Sequence, residues 1–152
     1  MATRSTICLV LDKSDIGKEL KFDESKLPEG IMYSNEYIGK IESVKLSDSV
    51  LEIYHHWDGY PEGVGRTLVD KFNTYDLVLN LLLGGDASSI IGDTIIQYCA
   101  DGGEDWQYVK PWLTNDCLLS ESYVYKFENG KWYFKGYADS DWVDLAEYLV
   151  GK

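Results

Sequence analysis

Thr6 to Leu11 (TICLVL) is apolar on both faces, the pattern of a central strand covered on two sides. Residues 12–36 are polar and interrupted by Gly17, Pro28 and Gly30, which predicts an irregular excursion. Ile41 to Leu46 and Val50 to His56 read as two strands, and Ser47-Asp48-Ser49 between them predicts a hairpin turn. Pro61 suits the first position of a helix, where its missing N–H costs nothing. Val64, Leu68 and Phe72 then recur every four residues and predict an apolar stripe on that helix. Thr74 is placed to cap a second helix over about Tyr75 to Leu83, with Asp76 in its first turn and Gly84-Gly85 as its stop.

Beyond Ile90 the pattern weakens. Ile95, Ile96 and Tyr98 suggest a short strand, followed by the acidic glycine loop Asp101-Gly102-Gly103-Glu104-Asp105. From Ser122 to Gly136 the signal is strong again. Asn129-Gly130 is a two-residue turn that sets the register of a hairpin. Phe127 then opposes Trp132 and Tyr125 opposes Phe134 on one side, with Glu128 against Lys131 on the other as a solvated charge pair. A last helix is expected from about Asp141, with Trp142, Leu145, Ala146 and Leu149 on one face. The sum is one α+β domain over residues 1–152: a mainly antiparallel sheet, an aromatic C-terminal hairpin and about three packed helices.

Composition narrows the function classes. The 152 residues carry 14 Lys and Arg against 26 Asp and Glu, a net charge of −12. Such a chain lacks the cations that release counterions from nucleic acid or dock on an anionic membrane, so neither partner is expected. Cys8, Cys99 and Cys117 are odd in number and show no metal-ligand spacing, which fits small buried residues of a reducing compartment. Met1 to Thr6 lacks signal-peptide architecture and no apolar run is long enough to span a bilayer, so a cytoplasmic location is expected.

Candidate chemistry concentrates in Tyr54-His55-His56-Trp57-Asp58-Gly59-Tyr60-Pro61-Glu62-Gly63, which holds both histidines and sits where a strand gives way to a helix. In strand geometry His55 and His56 point to opposite faces, so they do not form a joint metal site. Three uses compete. His56 with Asp58, aided by Glu52 or Glu62, suits general acid–base or metal chemistry in a small hydrolase. Trp57 and Tyr60, with Tyr54, His56, Asp58 and Arg66, suit a pocket for a small nucleotide-like ligand. The first-turn amides near Gly63 and Gly65, beside Arg66, suit an anion. Against all three stands packing: Trp57 and Tyr60 as anchors and Asp58-Gly59 as a turn.

Other segments are plainer. Gly84-Gly85-Asp86-Ala87-Ser88-Ser89 lacks the Gly-Lys-Ser/Thr of a phosphate loop and reads as a helix stop with an Asx turn. Ser88 and Ser89 lack a nucleophile elbow. Asp101, Glu104 and Asp105 do not match a calcium loop. Asp139, Asp141 and Asp144 suit a helix N-terminus. No metal or cofactor is implied by any of these.

Taken together, Thr3-Arg4-Ser5-Thr6-Ile7 and Tyr54-His55-His56-Trp57-Asp58-Gly59-Tyr60-Pro61 resemble a family of small phage and prophage proteins of unassigned function, marked by a T-R-S start and a Y-x-H-W-D-G-Y motif. The resemblance continues through Gly65 and Leu68, the Leu82-to-Ser89 stretch ending G-D-x-S-S, and Tyr123, Tyr125, Phe127, Gly130, Trp132 and Tyr133 of the hairpin. On this likeness His56 matches the family's histidine and His55 falls at a variable position. Members often carry a basic residue in the acidic loop, where this chain has Gly102-Gly103. The resemblance implies a small cytoplasmic protein made during infection or lysogeny. Together with the acidity and the missing catalytic signatures, it favours binding over catalysis, with a host or defence-system protein as the leading partner.

Overall fold

Ile7, Cys8 and Leu9 are fully buried, as a strand covered on both faces requires. The computed structural model describes residues 3–35, 38–97, 108–118, 120–136 and 141–151. Among these, the chain runs through β1 (Ser5–Val10), β2 (Glu19–Leu20), β3 (Met32–Ser34), β4 (Val44–Lys45) and β5 (Val50–Trp57). Helices α1 (Arg66–Lys71) and α2 (Tyr75–Leu83) follow, then β6 (Ala87–Ile91), β7 (Thr94–Ile96) and β8 (Trp112–Thr114). The chain closes with β9 (Tyr123–Glu128), β10 (Lys131–Gly136), β11 (Val143–Asp144) and α3 (Leu145–Val150).

The main sheet has the order β11-β10-β9-β1-β5-β6-β7-β3, with β8 also against β5. It is an α+β arrangement in which antiparallel pairings predominate. The β1–β9, β5–β6 and β3–β7 pairings are parallel. Among the described residues no helix is long and apolar enough to cross a membrane.

Strand alternation separates two faces. Ile7, Leu9, Ile53, Tyr125 and Phe127 join Leu68, Phe72, Leu81 and Leu145 in the main core, which places the helices on that side. Cys8, Val50, Cys117 and Val124 form a smaller apolar cluster, with Trp142 packed against it. Cys8 and Cys117 are thus buried small residues, while Cys99 lies outside the described residues.

Several expected elements form as their local signals dictate. Thr74 Oγ1 accepts from the Leu77 amide at 3.3 Å and caps α2. The aromatic hairpin has the expected register, Phe127 opposite Trp132 and Tyr125 opposite Phe134. Asn129 and Gly130 both take positive φ at its turn, 52° and 79°. Val64, Leu68 and Phe72 are fully buried, although Pro61–Gly65 is a π-helical turn and the α-helix proper begins at Arg66.

Others differ. The hairpin around Ser47-Asp48-Ser49 does not form: β4 pairs with β2 in a separate ribbon, and β5 pairs with β1. Non-local burial of Leu51 and Ile53 beside β1 overrides the local turn signal. The polar excursion is held down by the buried Asn80. Its side chain accepts from the Asp23 amide and donates to the Asp23 carbonyl, both at 2.9 Å. Lys126, not Lys131, makes the ion pair with Glu128, at 3.2 Å. The last helix starts later than expected, capped by Asp144. Trp142 lies outside it under Lys126 and Lys135, and Ala146 is exposed. The acidic loop 101–105, Tyr98 and Asp139 lie outside the described residues.

Candidate functional site

The Tyr54-to-Gly65 segment is first of all a corner. Asp58 takes φ 58°, turning the chain out of β5. The Gly59 amide then donates to the Thr3 carbonyl at 2.8 Å, so close that a Cβ there would stand 2.6 Å from that oxygen. The buried Tyr125 hydroxyl donates to the Gly59 carbonyl at 2.6 Å. The Val64 and Gly63 amides donate to the carbonyls of Asp58 and Tyr60, both at 2.9 Å. A side chain on Gly63 would run into the Asp58 carbonyl. The amides proposed for an anion are therefore engaged within the turn, with Arg66 exposed beside it.

The two histidines do point to opposite faces and live in different surroundings. His55 is fully buried. Its Nε2 accepts from the Ile90 amide at 3.1 Å, which leaves the ring proton on Nδ1, 3.1 Å from Ser5 Oγ. One neutral ring thus joins β1, β5 and β6. Burial, with the neighbouring His56 adding to it, lowers its pKa to about 3. His56 is also buried, and its Nδ1 shares a hydrogen with the Tyr54 hydroxyl at 2.7 Å. Its ring meets Trp57 edge-on at 4.7 Å. The hydrogen-bond partner shown for His56 is Tyr54, whereas Asp58 turns the chain out of β5 and its carbonyl accepts from Val64. Trp57 and Tyr60 are 46% and 38% exposed at the corner.

The concave site lies one step back along β5. On the edge away from β1, residues 50–52 pair with β8, whereas His55 and Trp57 pair with β6. Between these partners the edge is open. The Tyr54 amide in the gap donates to Asp86 Oδ1 at 2.9 Å, so a side-chain oxygen stands where a strand carbonyl would be. A cavity of about 410 Å³ opens at this seam, within the size range of small-molecule sites. Asp86, Glu52, Tyr54 and Ile53 line it, with the hydroxyls of Thr6 and Ser120 3.1 Å apart. Arg4, Glu121 and the 66%-exposed Trp112 complete the wall.

Tyr54 alone is common to this wall and the pocket expected from sequence. His56 stands behind it through the Tyr54 hydroxyl, while Trp57, Asp58, Tyr60 and Arg66 belong to the corner. Asp86 was expected in a local Asx turn but reaches across to β5. It is delivered there by a tight helix stop. Gly85 takes φ 90° beneath the Val109 carbonyl, and Gly84 lies against the buried Gln97 side chain, where a Cβ would clash. Asp86 of the G-D-x-S-S stretch and Arg4 of the T-R-S start, two segments the sequence resemblance spans without marking as a site, both line the cavity.

Asp86 is 7% exposed, and burial, with the charge of Glu52 as a lesser cause, raises its pKa to about 7. Burial also raises Glu52, partly offset by the Cys8 thiol, which donates to Glu52 Oε2 at 3.6 Å. Among the described residues no three His, Cys, Asp or Glu side chains converge as a metal site. The chemistry available is that of a carboxyl poised near neutrality, two further acids in Glu52 and Glu121, one guanidinium and aromatic faces. Comparison with known proteins finds no matching family model, no similar curated protein and no similar solved structure.

These shifts act on stability with opposite signs. Asp86 binds its proton more tightly when folded, so its stabilising contribution is present at low pH and is lost as pH rises from about 4 through about 7. His55 is depressed when folded, so its contribution is present above about 6.5 and is lost as pH falls toward about 3. Asp86→Asn keeps an oxygen for the Tyr54 amide and removes the titration. Its stability relative to the parent should rise by about 2–4 kcal/mol between about pH 5 and about pH 8 in urea unfolding. A difference independent of pH would contradict the placement of Asp86.

Proposed function

We propose that this protein acts by binding and that its ligand is a small molecule held in the seam cavity. The observation that carries this reading is the buried Asp86 carboxyl. It satisfies one backbone amide with Oδ1, while Oδ2 takes no donor from the described residues and borders an open cavity. A carboxyl so disposed costs stability at neutral pH, and a ligand that donates to it recovers that cost. Arg4, Trp112 and the Thr6–Ser120 hydroxyls supply the charge, aromatic face and orienting groups of a specific site.

Ser120→Trp tests the reading, because Ser120 is exposed and lines the cavity, so a larger side chain there competes with a ligand for its space. Native mass spectrometry and thermal-shift screening against small metabolites should give a ligand that binds and stabilises the parent but not Ser120→Trp. A screen in which no compound separates the two proteins overturns it.

The exposed Trp57 and Tyr60 favour a second reading, in which the corner docks on a protein of the host or of a defence system, in a phage setting. Trp and Tyr are the side chains that most often dominate protein interfaces. Trp57→Ala with Tyr60→Ala should then abolish partner capture while leaving cavity ligands unaffected. Equal capture by parent and double variant would exclude this corner.

A further inference from the structure

We infer that the cavity ligand carries a planar heterocycle with two adjacent N–H donors and an anionic substituent, the chemistry of a guanine nucleotide. The inference rests on the small-ligand reading above and gives it a substrate class. The buried wall offers mainly acceptors. Asp86 presents Oδ2, and Glu52 stands close enough for its charge to act on Asp86. Asp86 Oδ2 and the Glu52 carboxylate together offer acceptors to two adjacent N–H groups, which the N1–H and 2-amino group of guanine supply side by side. Adenine carries no such pair. The hydrogen bond from the Tyr54 amide to Oδ1 holds the Asp86 carboxyl in place, so Oδ2 is positioned before the ligand arrives.

The remaining wall suits the rest of such a molecule. Trp112 at the end of β8 is 66% exposed, a free ring on which a base stacks. Arg4 is the sole cation of the lining, is exposed, and makes no ion pair among the described residues. It is therefore available to a phosphate. An unsubstituted polyamine would suit the acids but leave Arg4 facing a like charge. A guanine nucleotide offers N–H donors to the acids and a phosphate to Arg4. The volume of about 410 Å³ accommodates one mononucleotide.

Titration calorimetry with guanosine monophosphate, guanosine and adenosine monophosphate tests this on the whole chain. The parent should bind guanosine monophosphate at least tenfold more tightly than adenosine monophosphate, because a site built for an N–H rejects the analogue that lacks it. Asp86→Asn, which should fold at least as well as the parent near neutral pH, should lose at least tenfold for both guanine compounds. Arg4→Ala should erase the difference between nucleotide and nucleoside, and Trp112→Ala should weaken both. Equal binding of the adenine nucleotide, or Asp86→Asn binding like the parent, overturns the inference. So does the absence of heat with guanosine monophosphate up to about 5 mM. If another compound class separates the parent from Ser120→Trp, the guanine assignment falls and the small-ligand reading stands. If no class does, both fall.

Discussion

β5 changes neighbours part-way along one edge, from β8 to β6, and the amide of Tyr54 is left between them. A buried strand amide without a partner is costly, and the chain meets that requirement with the carboxylate of Asp86. The rest of the site follows. The carboxyl must come from the segment entering β6, so α2 must stop abruptly, which calls for the two glycines before Asp86. It must be buried, so its proton is held more tightly than usual. Because a side chain takes the place of a strand, the sheet is open on that stretch, and a cavity forms.

His55 is the counterpart on the other face. Its neutral ring satisfies Ser5 and the Ile90 amide at once, locking β1, β5 and β6 together next to the seam. The corner that follows, from Asp58 to Gly65, anchors the N-terminal strand through the Thr3 carbonyl and seats the first helix. His55, a residue of catalytic type, thus does structural work, while a residue that looked like turn chemistry, Asp86, faces the cavity.

Legibility in the sequence tracked the range of the interactions. The Asn129-Gly130 hairpin and the Thr74-capped helix are settled by residues a few positions apart, and both form as expected. The Val44–Lys45 strand went to a partner more than twenty residues upstream, against its local turn signal. The β6–β7 hairpin was missed because Ala87-Ser88-Ser89 is not β-prone by composition, and only packing beside β5 makes it a strand. The cavity was the least legible feature. Its wall comes from β1, β5, the entry to β6, β8 and the approach to β9, and no periodicity links those segments. Tyr54 was found because it shares a motif with the histidines. Trp112 and Glu121 carried no local signal.

The protonation of Asp86 is the most direct measure of whether the seam is built as described. Carbon-13 NMR of its carboxyl, followed through a pH titration, should show an inflection near 7, with Asp86→Asn used to assign the resonance. An inflection near the ordinary aspartate value of about 4 would mean that the carboxyl is solvated rather than buried beneath the Tyr54 amide, and would contradict the account.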